Sequence, residues 1–472
     1  MTTHSVTFRN DGSGVLKGEL LRRTLSTGFL LMAFCSAGLL FDSAVRAADW
    51  TEFRGPTGQG HAGDTDLPIR WSETEHVFWK VEVPGQGWSS PVTAGGRIYL
   101  TTAVPDNSEP AGAADAGKDA AEKEKEKAAA GEKAAEPPVS QSLRVLCLNA
   151  ADGKQIWNQE VFVYKPEPDP QFHSKNSYAS PTPILDGDRL YVHFGSYGTA
   201  CLDLDGSVLW KNQELRYQPR HGNGGSPALA GEHLVICCDG QDDQFVVGIE
   251  KQTGKLSWKT ERDTTPTSGF SFCTPTIIEA GGRQQAICPG SQAVFSYDPA
   301  TGKEIWRAQY GQGFSVVPRP VYAHGLVFIC SGFGDGQLLA IDPTGTGDIT
   351  ASHIRWSTKK SVPNSPSLLV VDDLLFSVSD AGVATCFDAK SGKIHWTHRL
   401  SGAFSASPTV AGGRIYFQNE TGETTIVKAA SEYEEIAVNQ ISTEPTRTFA
   451  SFAVIDQSIL LRSEKHLYRI QN

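Results

Sequence analysis

The strongest constraint on this chain is a motif that keeps returning: a small residue, an apolar residue, an acidic or amide residue, a turn carrying Gly and a basic residue, and then Trp. It reads Cys147-Leu148-Asn149 to Gly153-Lys154 and Trp157, then Cys201-Leu202-Asp203 to Gly206-Ser207 and Trp210, then Gly248-Ile249-Glu250 to Gly254-Lys255 and Trp258. Further copies run from Ser296-Tyr297-Asp298 to Trp306, from Ala340-Ile341-Asp342 to Trp356 and from Cys386-Phe387-Asp388 to Trp396, while a seventh, Thr425-Ile426-Val427 to Ile436, lacks both turn and Trp. Upstream of each lies a step into an apolar strand, at Pro91, Pro181, Pro227, Pro275, Pro320, Pro366 and Pro408, with Ala453 in the last place. Apart from the first interval these entries are about 42–48 residues apart, the length of four short strands with their turns. The pattern predicts an all-β chain: an eight-bladed β-propeller of four-stranded antiparallel blades.

Each repeated residue has a physical reason. Asp or Asn at the strand end hydrogen-bonds the backbone two residues on, and Gly supplies a left-handed turn conformation. The Trp residues, with Trp79 as an early member, offer large apolar faces for packing between blades and an indole N–H that needs an acceptor. Cys147, Cys201 and Cys386 stand where Gly248, Ser296 and Ala340 stand elsewhere, so they are expected to be buried, reduced thiols. Closure follows from a deficit: the last unit has only three strands, near 452–456, 459–462 and 466–470, and Val77-Phe78-Trp79-Lys80 is a fourth strand without partners. Pairing the two removes two exposed sheet edges.

The remaining segments are read by composition. Arg22 and Arg23 precede an apolar run and Val45-Arg46-Ala47, so residues 1–47 are expected to be a signal peptide, 48–76 an N-terminal extension and 77–472 a single propeller domain. Within that domain 105–138, whose core is AAEKEKEKAAAGEKAAEPP, is too charged and alanine-rich to order itself and is expected to be a disordered insertion. These readings imply export to the periplasm or cell envelope, with no transmembrane span after signal removal. With 42 basic against 53 acidic residues the net charge is -11, which disfavours nucleic acid as a partner. Nine cysteines without a CxxC pair exclude zinc ribbons and dithiol redox motifs.

The run Ser296-Tyr297-Asp298-Pro299-Ala300-Thr301-Gly302-Lys303-Glu304-Ile305-Trp306 resembles the pyrroloquinoline quinone (PQQ)-like propeller repeat. The whole chain from Trp79 onward is similar to exported propellers of the BamB-like and PQQ-binding-like group, and Trp50-Thr51-Glu52-Phe53-Arg54-Gly55-Pro56 resembles the opening often seen in that group. The resemblance implies a monomeric propeller in the cell envelope that binds envelope proteins or peptides as a scaffold, with no cofactor. The alternative it implies is a PQQ-dependent dehydrogenase with calcium, in which a vicinal Cys237-Cys238 disulfide would stack on the quinone, or another propeller enzyme, a hydrolase or lyase. No residues match the calcium site of those dehydrogenases, and no CxxCH haem motif is present. Asp239, Asp242 and Asp243 are the nearest thing to a cation loop. In such propellers the loops entering the inner strands and those between second and third strands share one face, where Trp88, His173, Tyr178, Arg220, His221, Asn223, Phe272, Arg319 and Asn364 are expected around the channel mouth.

Overall fold

The structure is a computed structural model that describes residues 49–106, 139–165 and 172–472. The leader read at 1–47, and the charged insertion beyond Asp106, lie outside the described residues. Eight antiparallel sheets follow in chain order: blade 1 over 92–164, blade 2 over 184–212, blade 3 over 228–261, blade 4 over 276–309, blade 5 over 321–358, blade 6 over 369–399, blade 7 over 409–440, and blade 8 over 453–470 with 77–82. The chain's first strand, Val77–Glu82, completes the last blade: Lys80 lies opposite Tyr468 and Glu82 opposite His466. In blade 1 the strands flanking the insertion stay paired out to Pro105 and Gln141. Among the described residues no helix is long and apolar enough to cross a membrane.

The repeat motif is an interlock. In six blades the small residue lies directly across the third and fourth strands from the Trp: Cys147 from Trp157, Cys201 from Trp210, Gly248 from Trp258, Ser296 from Trp306, Ala340 from Trp356 and Cys386 from Trp396. A Cβ on Gly248 would stand 2.2 Å from the Trp258 indole nitrogen, so the position must be small. A one-residue irregularity in the ladder follows each of these pairs and, as bulges do, turns the strand locally. The indole then reaches into the next blade and donates to a carbonyl of its turn: Trp79 to Ala150 (2.9 Å), Trp157 to Leu204 (3.0 Å), Trp210 to Lys251 (3.0 Å), Trp258 to Pro299 (3.1 Å), Trp356 to Ala389 (3.0 Å) and Trp396 to Ala430 (3.0 Å). The turn glycine lies flat on that indole. At Gly254, φ is +73° and an added Cβ would come 2.4 Å from Trp210.

Two blades depart from the pattern, each for a visible reason. The blade 5 turn is enlarged: Gly347–Asp348 adds as a short parallel strand to blade 4's outer strand Glu304–Gln309, and a helical turn Thr350–His353 follows. Trp306 is fully buried and reaches the neighbouring turn through Gln285, which accepts from the indole at 2.7 Å and donates to the Pro343 carbonyl at 3.0 Å. In blade 7 the ladder sets Ile426 opposite Ala437, one residue on from Thr425 and Ile436 in the frame read from the sequence. Large and small residues have exchanged strands there, which keeps the pair's volume. Blade 8 offers no turn between its third and fourth strands, because the chain's C-terminal strand and its first strand meet there, so a blade 7 Trp would have nothing to dock on.

The eight described cysteines are free, seven of them buried. Burial pushes the Cys147 thiol up to about 12, with the Arg97 charge opposing, and Cys237 and Cys238 face opposite sides of the strand His233–Asp239. Three outcomes are expected in thermal or denaturant unfolding. Trp306→Ala should cost about 3–5 kcal/mol. Gly254→Ala should cost distinctly more than Gly231→Ala, where φ is also positive but nothing lies within 4 Å of the added Cβ; equal costs would refute the indole dock. Cys147→Ala, Cys201→Ala and Cys386→Ala should each cost at most about 1–2 kcal/mol, and mass spectrometry should find no disulfide among the three.

Candidate functional site

The site is built from the blade entries. Where each inner strand begins, no further strand lies inside it, and its backbone N–H needs another acceptor. The next blade supplies a hydroxyl: Ser90 N–H donates to Thr182 Oγ1 (3.0 Å), Thr182 to Ser226 Oγ (2.9 Å) and Ser226 to Thr274 Oγ1 (3.0 Å). The chain of bonds resumes from Arg319 to Ser367 Oγ (3.0 Å), Ser367 to Ser407 Oγ (3.0 Å) and Ser407 to Ser451 Oγ (2.9 Å). The result is a nearly continuous belt of buried Ser and Thr around the axis, interrupted at blade 5 by Arg319.

Arg319 is the anchor of a floor. The N-terminal extension crosses the channel and adds to the bare inner edges: Thr93 N–H donates to Trp50 O in blade 1 (2.8 Å), Leu185 to Thr51 O in blade 2 (2.8 Å), and Val410 to Gly60 O in blade 7 (2.9 Å). Between those contacts Arg319 donates to Phe53 O (2.6 Å), Glu52 Oε2 (2.7 Å) and Pro275 O (3.2 Å), while Arg54 reaches Leu368 O in blade 6 (2.7 Å). Burial, with the neighbouring Arg319 charge, pushes the Arg54 guanidinium down to about 9. Glu52 is the carboxylate paired with Arg319, and it balances one of two adjoining buried cations.

Above this floor opens a cavity of about 520 Å³, within the range that encloses a small organic ligand. Phe53 lies at its base, and its walls carry Trp88 against Phe449 (ring centroids 4.6 Å) and, across the axis, Phe270 with Phe272 (6.0 Å) and Phe314 (5.7 Å). Of the residues expected at the mouth, Trp88, His173, His221, Phe272 and Asn364 line this cup. Arg220 lies beside it, over the Phe270 ring at 5.6 Å. Tyr178 packs in a cluster with Tyr164, Phe172 and Tyr197. Asn223 is buried, its Oδ1 accepting from Tyr217 and the Ser196 N–H, and Arg319 lies in the floor. Lys175, Phe270, Phe314, Phe333, Phe449 and the hydroxyl belt also line the cup and were not singled out from the sequence. The belt left a trace there, a Ser or Thr beside nearly every entry proline.

The charged groups of the cup each have protein partners. Lys175 Nζ meets Glu420 at 2.6 Å, and Ser405 donates to the same carboxylate oxygen at 2.6 Å. Asp380 accepts from the Asn364 N–H (2.7 Å) and the Ser365 hydroxyl (2.6 Å). His173 and His221 meet edge to face at 5.7 Å; burial, Arg220 and His173 together lower the His221 pKa. Away from the cup, Asp239 is fully buried against Arg262 in a two-pronged pair of 2.7 and 2.9 Å, and Asp242 accepts the Gln218 N–H at 2.7 Å. Among the described residues no group of three or more His, Cys, Asp or Glu is arranged to hold a metal ion.

Comparison with known proteins matches the family described as outer membrane protein assembly factor BamB, over residues 141–370 and 353–433. No curated protein sequence matches the chain. Among solved structures, BamB from Moraxella catarrhalis superposes with a TM-score of 0.51 at 15% identity, covering 70% of this chain and 94% of that one. The quinohemoprotein alcohol dehydrogenase from Comamonas testosteroni gives 0.56 at 11% identity, covering 89% and 80%, and the quinohemoprotein alcohol dehydrogenase ADHIIG from Pseudomonas putida HK5 gives 0.57 at 10%, covering 90% and 80%. At such identities the superpositions speak for the fold alone.

The floor predicts its own test. Glu52→Gln leaves Arg319 and Arg54 as two buried cations without a carboxylate, and should destabilise by about 3–5 kcal/mol. Glu52→Gln combined with Arg319→Met should recover part of that loss; a double variant no better than the single one would show that the ion pair does not hold the floor.

Proposed function

The chain belongs to the BamB family, and we propose that it acts as an exported cell-envelope scaffold that binds a ligand or peptide segment in the cup, without turnover of its own. The observation that carries this reading is that the protein itself engages the charged side chains lining the cup: Asp380 accepts from the Asn364 N–H and the Ser365 hydroxyl, and Lys175 is ion-paired with Glu420. An acid or base held this way is poorly placed to exchange a proton with a bound molecule. The floor and aromatic walls, by contrast, suit enclosure and recognition. A protein partner agrees with the name of the matched family, and export with the leader expected at 1–47.

The dehydrogenase reading draws on the superposition with two quinohemoprotein alcohol dehydrogenases over nearly nine-tenths of the chain. The residues do not fit a calcium-bound quinone. A divalent cation needs several oxygen ligands free to bind it, yet Asp380 is bonded to its neighbours and Asp239 to Arg262. Cys237 and Cys238 are free thiols on opposite faces of one strand, so they form no vicinal bridge.

Purified protein should capture envelope proteins or peptides, and Trp88→Ala or Phe272→Ala should weaken capture about tenfold or more, whereas deletion of 107–137 should leave it intact. Protein supplied with PQQ and Ca²⁺ should not reduce an artificial electron acceptor with an alcohol or sugar present; substrate-dependent reduction would establish the dehydrogenase instead.

A further inference from the structure

We propose that the ligand class of the cup is an uncharged saccharide, entering as a free short oligosaccharide or as the end of a glycan chain. The inference rests on the cup being the binding site, as above, and concerns what that site recognises.

Three features select this chemistry. The first is an unused set of donors. Thr182, Ser226, Thr274 and Ser451 line the cup, each buried and each already accepting an N–H from the preceding blade. Among the described residues none of the four donates its own hydroxyl hydrogen to a protein acceptor, and Ser90 Oγ, also buried in the lining, has no partner at all. Buried hydroxyls without an acceptor are costly unless water or a ligand meets them. Five such groups, at the entries of the consecutive blades 8, 1, 2, 3 and 4, form an arc along one side of the axis and call for a molecule that offers several acceptors to it.

The second is charge. Lys175 is neutralised by Glu420 and Arg319 by Glu52, while Asp380 keeps its negative charge and accepts from the neutral Asn364 N–H and Ser365 hydroxyl. An anionic ligand would lose its hydration here, find no free cation in the lining and face the Asp380 carboxylate, which is strongly unfavourable in a largely apolar cavity. A molecule rich in hydroxyls and bare of charge meets no such penalty.

The third is shape. Aromatic faces stand on opposite sides of the axis, Trp88 and Phe449 on one and Phe270, Phe272 and Phe314 on the other. A pyranose ring has apolar C–H faces and a polar rim, so it can lie against such walls while its hydroxyls meet the belt. Phe53 and the extension lie across the base of the cup. With that segment in the way, a chain end or a short free molecule suits the cup better than a polymer threading through.

The test is calorimetric titration of the full chain with maltose, cellobiose and N,N′-diacetylchitobiose, with glucuronic acid and the capped tripeptide acetyl-Ala-Phe-Ala-amide as comparators. At least one uncharged disaccharide should bind saturably and glucuronic acid more weakly. Trp88→Ala and Phe449→Ala, on either side of one aromatic contact, should each weaken the saccharide about tenfold or more, with thermal unfolding confirming that the variants remain folded. Co-sedimentation with insoluble cellulose and chitin separates the sources: capture on the solid marks glycan ends, and binding of soluble sugars alone marks a free oligosaccharide. Binding of the tripeptide without any saccharide would overturn this inference and leave the cup standing as a peptide site. No binding of any probe, with capture of envelope partners unaffected by Trp88→Ala, would instead remove the cup from the function altogether and leave its hydroxyls to water.

Discussion

The contact on which the ring depends is the indole that leaves one blade and docks on the turn of the next. It combines three demands in one place: a small residue across the ladder to make room, a left-handed glycine to lie flat on the ring, and a carbonyl to take the indole N–H. None of these is strong alone. Repeated between neighbours they fix each blade against the following one, beside the buried apolar clusters that fill the space between adjacent sheets. The exceptions obey the same rule. Gln285 extends the reach of Trp306 where the neighbouring turn is enlarged, and Ala437 stands in the Trp place where the following blade has no turn to receive an indole.

At the axis the problem is the reverse, because eight inner edges face an opening with nothing to pair them. Two devices meet this need. At the mouth side the entry N–H of six blades is taken by the neighbour's hydroxyl, and at the floor the extension supplies carbonyls to Thr93, Leu185 and Val410. The same devices make the cup. The hydroxyls that satisfy the backbone also line its wall, and the segment that covers the inner edges closes its base. Architecture and site share atoms, so the binding chemistry of the cup is in part a consequence of completing the ladder hydrogen bonds.

This sharing explains what could be read in advance. Trp88, His173, His221, Phe272 and Asn364 lie in loops that share a face in propellers of this kind, and they line one cavity. Arg319 and Asn223 sat in equivalent loops but point into protein, since one faces the extension and the other faces Tyr217 and Ser196. Loop position gives the level of a residue in the disc; it does not give the direction of its side chain.

The sequence by itself determined the number of blades, their strand order and the closure of the last blade by the first strand, because each rests on local signals: a turn, a period of apolar residues, a missing strand. It also determined which position had to be small, since the substitution of Cys, Gly, Ser and Ala for one another leaves only size in common. The tertiary structure alone decided that residues 49–62 cross the channel, that Glu52 meets Arg319 across 267 positions of chain, and that Lys175 meets Glu420. Those contacts join segments with no shared period, and their partners are fixed only when the ring closes and brings distant blades to face one another across the axis.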